Sequence, residues 1–124
     1  MANPHPFRVA AEAKDLELLS EALNENVVLH SPILFRGFEG REIVSQVLTH
    51  VAATLEDLTY VDELVGEDTV CLRFKAKVGE LELEGIDYLQ LDSHGKVIDL
   101  TVFMRPMKAL TAFNEQVKQR LGVA

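Results

Sequence analysis

Leu81-Glu82-Leu83-Glu84-Gly85-Ile86-Asp87-Tyr88-Leu89-Gln90-Leu91 alternates in character along its whole length. In an extended chain successive side chains point to opposite sides. One face therefore carries Leu81, Leu83, Gly85, Asp87, Leu89 and Leu91, and the other carries Glu82, Glu84, Ile86, Tyr88 and Gln90. Asp87 thus sits on the oily face of a strand otherwise built for a core. An ionised carboxylate taken from water without partners costs several kcal/mol or more, so Asp87 must be paired, hydrogen-bonded, protonated or open to a wet cavity. The last two options point to a ligand pocket.

Working outward, Leu58 to Val65, Thr69 to Val78 and Lys96 to Arg105 are also strand-like, with Gly66-Glu67-Asp68, Gly79-Glu80 and Asp92-Ser93-His94-Gly95 as turns. They predict an antiparallel meander. A two-residue Gly79-Glu80 loop pairs Val78 with Leu81, Lys77 with Glu82, Lys75 with Glu84 and Phe74 with Gly85. A slip of one residue would bury Lys or Glu and lose the cross-strand ion pairs. In this register Val70, Leu72, Phe74 and Ala76 lie beside Leu89, Asp87, Gly85 and Leu83, and the next loop brings Leu100 opposite Asp87 and Val102 opposite Gly85. Phe74, Leu100 and Val102 are therefore candidate ligand contacts. Gly85 leaves room for Phe74 and marks a sharp bend of the sheet. Arg105 falls on the opposite face, within reach of Glu82. Phe103, Ile86 and Tyr88 form an outer apolar patch that suits a two-fold homodimer.

Before the meander, Pro4 and Pro6 precede a short helical pattern, and Asp15 is a fitting N-cap for a second carrying Leu16, Leu19 and Leu23. Val27 to His30 reads as a short strand ended by Ser31-Pro32, and Phe35 to Gly40 as a loop. From Arg41 to Leu55 the residues Ile43, Val47, Leu48, Val51 and Leu55 give a helix with one buried stripe. Pro106 can occupy the first turn of a closing helix with Leu110, Phe113, Val117 and Leu121 inward and Gly122 as its stop.

A chain of 124 residues with 48% hydrophobic content and no repeat or linker fits one domain, 1–124. A net charge of −8 with no basic cluster argues against nucleic acid. No apolar run is long enough to span a bilayer, and Met1 to Phe7 lacks a secretory pattern, so no membrane partner and a cytoplasmic location are expected. The lone Cys71 cannot form an internal disulfide and is read as structural; with scattered His residues there is no zinc spacing, and no metal or cofactor is expected.

The element order, with Asn24-Glu25-Asn26-Val27-Val28-Leu29-His30-Ser31-Pro32, Glu39-Gly40-Arg41-Glu42, Gly85-Ile86-Asp87-Tyr88-Leu89 and Asp92-Ser93-His94-Gly95-Lys96-Val97, resembles the SnoaL-like, nuclear transport factor 2-like superfamily. The resemblance implies an α+β cone: a strongly curved antiparallel sheet wrapped by helices, with a pocket at its wide end and frequent dimerisation. Ketosteroid isomerase is similar in fold. By that likeness Asp87 matches a protonated aspartic acid that donates to a developing oxyanion. Ser31 falls where the isomerase has its carboxylate base, and Phe7 where it has a tyrosine donor. A serine without an activating base accepts no proton and a phenyl ring donates none, which disfavours ketosteroid isomerisation.

The residues leave alternatives open. Asp87 is either a proton donor or ligand anchor, or a core carboxylate satisfied by its neighbours. His30 and Ser31 are adjacent and so point oppositely on an extended segment; His30 serves as a base only if the chain bends there, and is otherwise a half-exposed polar residue. Tyr60 either turns its hydroxyl into the cavity or acts as a cross-strand structural aromatic, the commoner role. His5 lies in a terminus expected to fray, and Met104 reads as core filler. For the whole chain, an isomerase, cyclase or dehydratase kind of enzyme, with Asp87 as acid or anchor and Ser31 or His30 assisting, competes with a non-catalytic binder of a hydrophobic small molecule and with a dimerisation scaffold.

Overall fold

In the computed structural model, which describes residues 3–122, the hairpin around Gly79 and Glu80 forms in the expected register. The elements are α1 (Pro6–Ala13), α2 (Leu16–Glu21), β1 (Leu23–His30), β2 (Phe38–Glu39), α3 (Arg41–Thr54), β3 (Glu56–Val65), β4 (Thr69–Val78), β5 (Leu81–Leu91), β6 (Val97–Arg105) and α4 (Met107–Leu121). The strands form one curved, unclosed sheet in the order β2-β1-β6-β5-β4-β3. Its inner face and the helices share a core in which Leu23, Leu72, Leu89, Val97 and Leu100 are fully enclosed. No helix among the described residues is long and apolar enough to cross a membrane.

Local chemistry accounts for the helix ends. The Asp15 side chain accepts from the Leu18 amide at 3.2 Å and starts α2. Gly122, at φ +75°, closes α4 in the left-handed conformation that glycine adopts freely. Pro106 caps α4 from outside instead of entering its first turn. His5 does not fray: Nδ1 accepts from the Phe7 amide at 3.0 Å and Nε2 meets the Gly95 carbonyl at 2.9 Å, tying the start of α1 to the β5–β6 loop.

Four expectations need correction. The segment Phe35 to Gly40 contains β2, whose two residues pair with β1 (Val28 with Glu39, Leu29 with Phe38) and are too few to leave a periodic signal. β1 starts at Leu23 and runs parallel to β6. In α3 the inward stripe runs through Val44, Val47 and Leu48, while Ile43, one residue out of phase, is 51% exposed. Finally, Val102 lies opposite Asp87, Met104 opposite Gly85, and Leu100 opposite Leu89. The loop is one residue longer than expected, since the Asp92 amide bonds the Lys96 carbonyl and Leu91 pairs with Val97. A bulge at Ile98 then adds the second residue of offset, because Gln90 pairs with Asp99.

Candidate functional site

Asp87 faces inward from β5 and is 7% exposed. Its carboxylate oxygen Oδ2 accepts from the Tyr60 hydroxyl at 2.6 Å. Tyr60 stands on β3, at the edge of the sheet, and α1 fixes its backbone: its amide donates to Glu12 Oε2 at 3.0 Å and its carbonyl accepts from Arg8 Nη2 at 3.1 Å. Arg8 also pairs with Glu63 at 3.2 Å. Side chains of α1 thus satisfy edge groups that another strand would otherwise seek.

Burial pushes the Asp87 carboxyl from the ordinary 3.8 up to about 7, an effect that the Tyr60 hydrogen bond partly offsets. Burial likewise holds the Tyr60 hydroxyl well above its usual value, and the neighbouring Asp87 charge reinforces this. Near neutrality the pair therefore exists both as a carboxylate holding a phenol and as a neutral acid with a proton to give.

The pair borders an inner cavity of about 50 Å³ whose remaining wall is apolar and includes Phe7, Phe74, Val102 and Met104. That volume holds a ligand's functional group and not its whole body. Lys14 borders it too, but its ammonium donates to the Leu55 carbonyl at 2.9 Å. An outer cavity of about 430 Å³ lies between the loop after β1, α3 and α4, a size ordinary for small-molecule sites. Both cavities use Leu48, Val51, Val102 and Met104 as walls.

The structure gathers Asp87, Tyr60, Phe7, Phe74 and Val102 around the inner cavity. Ser31 lines the outer one, where its Oγ accepts from the amides of Ile33 (3.3 Å) and Leu34 (3.1 Å) and shapes the loop. His30 stands apart: its Nε2 meets Asp99 Oδ2 at 3.0 Å on the other side of the strand, with its side chain 38% exposed. Leu100 is fully enclosed in the core and borders neither cavity, the consequence of the β5–β6 offset. Arg105 reaches Glu84, not Glu82, and shares it with Arg73. Met104 is more than core filler, because it forms part of both cavity walls; the alternation that places Val102 inward already carried that signal. The roles of Arg8 and Glu12 left none.

No protein-family model matches the chain, and no curated protein does. Solved structures do. The chain is 34% identical to a steroid delta-isomerase from Pseudomonas aeruginosa over 94% of its own length and 86% of that chain, with a TM-score of 0.89. A protein with a cystatin-like fold from Silicibacter pomeroyi is 28% identical over 94% of this chain and 83% of that one, with a TM-score of 0.91. A SnoaL-like protein from Burkholderia thailandensis shares the fold alone, at 14% identity, 82% and 90% coverage and a TM-score of 0.69.

Proposed function

Because this chain belongs to the SnoaL-like, nuclear transport factor 2-like superfamily, we propose that its cone holds a hydrophobic small molecule whose oxygen function is gripped by Asp87 and Tyr60. The observation that carries this reading is the 2.6 Å hydrogen bond between the two side chains inside an otherwise apolar cavity. An acid poised at about 7 can lend and recover a proton near neutrality. In its neutral form it donates to a carbonyl or developing enolate oxygen from one carboxyl oxygen, while the Tyr60 hydroxyl holds the other.

Proton abstraction from carbon needs a base as well, and the Ser31 hydroxyl is not one. The isomerisation for which the Pseudomonas relative is named is therefore not the activity assigned. The reading is a reaction of the isomerase, cyclase or dehydratase kind in which Asp87 acts as the acid, giving a proton to the substrate oxygen and recovering it from there. We further infer a cytoplasmic homodimer joined through the outer sheet face, where Tyr88 is 43% and Phe103 58% exposed.

One observation favours a second reading, that of a binder without turnover: no second free acid–base group borders the inner cavity among the described residues, since Lys14 is spent on Leu55. Mass spectrometry of the gently denatured protein tests both readings by identifying any co-purifying apolar molecule. Turnover of that molecule by the wild type, lost in Asp87→Asn, supports the enzyme. Retention without turnover supports the binder, and a protein that retains no apolar molecule from its host or from a panel of phenols and enones overturns both.

A further inference from the structure

The outer cavity makes a demand on the ligand that the Asp87 end does not. Its walls are apolar, yet Lys118 and Asn114, one helical turn apart on α4, border it, and no Asp or Glu does. Lys118 takes part in none of the ion pairs formed among the described residues, and the nearby Glu115 is exposed and unpaired with it. Among the described residues Lys118 is the one cationic residue that lines the outer cavity, and its ammonium has no acidic partner there. It would be answered by an anion.

The two cavities also adjoin. Val102, the cross-strand partner of Asp87, and Met104, the partner of Gly85, belong to both walls. A methionine side chain is unbranched and repacks at small cost, so Met104 is a soft partition. We propose that the cavities are two ends of one tract, and that its ligand is an elongated apolar molecule with a hydroxyl or carbonyl oxygen at Asp87 and Tyr60 and a carboxylate at Lys118 and Asn114. The Asp87 end of this inference rests on the function proposed above; the Lys118 end does not.

Two fluorescent probes separate the ends: 2-naphthol, which offers only the hydroxyl, and 6-hydroxy-2-naphthoic acid, which adds a carboxylate at the far end of the ring system. Titration of the full chain is expected to give tighter binding of the acid by about fivefold or more, the scale of one partly exposed charge contact. Lys118→Met should erase that advantage while leaving 2-naphthol binding unchanged, and Asp87→Asn should weaken both probes alike. Equal affinities in the wild type, or an advantage that survives Lys118→Met, overturn the anionic end. An advantage lost in Lys118→Met while Asp87→Asn changes neither probe overturns the Asp87 reading and the two-ended ligand, leaving an anion contact alone. Absence of saturable binding by either probe overturns both.

Discussion

Tyr60 reaches Asp87 across an intervening strand: its hydroxyl donates at 2.6 Å although β4 lies between β3 and β5. The ladder partner of Tyr60 is Phe74, whose own partner is Gly85, while Asp87 pairs with Leu72. The phenol therefore crosses the sheet diagonally. Phe74 guides it, the two rings meeting edge to face with centroids 6.0 Å apart and planes at 71°. Each buried polar group answers the other, which is how a carboxyl persists in this wall.

Stability should fall with pH because of Asp87. The unfolded chain releases this proton near the ordinary 3.8, whereas the folded chain keeps it until about 7, so between these values the folded state binds more protons. The contribution is full below the lower value and lost as pH rises through the upper, with a ceiling of ~4 kcal/mol for this gap. Asp87→Asn is neutral throughout and removes it. Urea unfolding at about pH 5 and about pH 8 should show the wild type losing a few kcal/mol more than the variant. Parallel profiles would mean that the carboxyl is ionised across the range.

Tyr60→Phe keeps the ring on Phe74 but deletes the donor that partly restrains the acid's rise. The Asp87 titration should move further up, as followed by carbon NMR of the carboxyl. The variant should lose roughly 1–3 kcal/mol, because the partner is left buried and unsatisfied. An unmoved titration would show that the hydrogen bond does not govern the acid.

At Gly85 the constraint is steric. An added Cβ would lie 2.6 Å from Phe74 Cζ and would also press on the Phe103 carbonyl oxygen, which as backbone cannot swing aside. Gly85→Ala is therefore expected to cost about 2 kcal/mol or more in urea unfolding and to disturb the Tyr60–Asp87 contact through Phe74. Adding Phe74→Leu should recover only part of the loss, since the carbonyl clash stays. Wild-type stability in Gly85→Ala would mean that the sheet bends freely at this point.

Much of this was legible in the chain and some was not, for physical reasons. The β4–β5 register followed from a two-residue loop and from Lys75, Lys77, Glu82 and Glu84 needing one face. The inward Asp87 followed from period-2 alternation. The neighbours of Asp87 on β6 did not, because the lengthened loop and the bulge at Ile98 add two residues of offset without altering which face Val102 occupies. Tyr60 as its partner was hidden by the register shift that β3 makes between Tyr60 and Asp62. Neither bulge leaves a mark in composition or spacing.

The outer sheet face gives a prediction about assembly. Phe103 and Tyr88 are exposed there, with Ile86 beside them as the cross-strand partner of Phe103. If these residues join two copies, light scattering after gel filtration should give a dimer mass for the wild type. Phe103→Glu should give a monomer with its helical circular dichroism intact, since a charge on each copy opposes a self-complementary patch. A wild-type monomer at micromolar concentration would rule out this interface.

Ser31 decides what the cavity does not do. Its hydroxyl is occupied in holding the Ile33 and Leu34 amides, and the other loop residues that line the outer cavity, Pro32, Ile33 and Leu34, are apolar. A β,γ-unsaturated ketosteroid should therefore be bound but not isomerised above the solvent rate, as read by the absorbance of the conjugated enone. An aspartate at this position keeps an oxygen for the same two amides, so Ser31→Asp should preserve the loop while placing a carboxylate on the outer cavity wall. It should raise the rate by about a hundredfold, the lower end for a positioned base. Rapid turnover by the wild type would show instead that proton abstraction here needs nothing at position 31, and Asp87 would then have to act as the base.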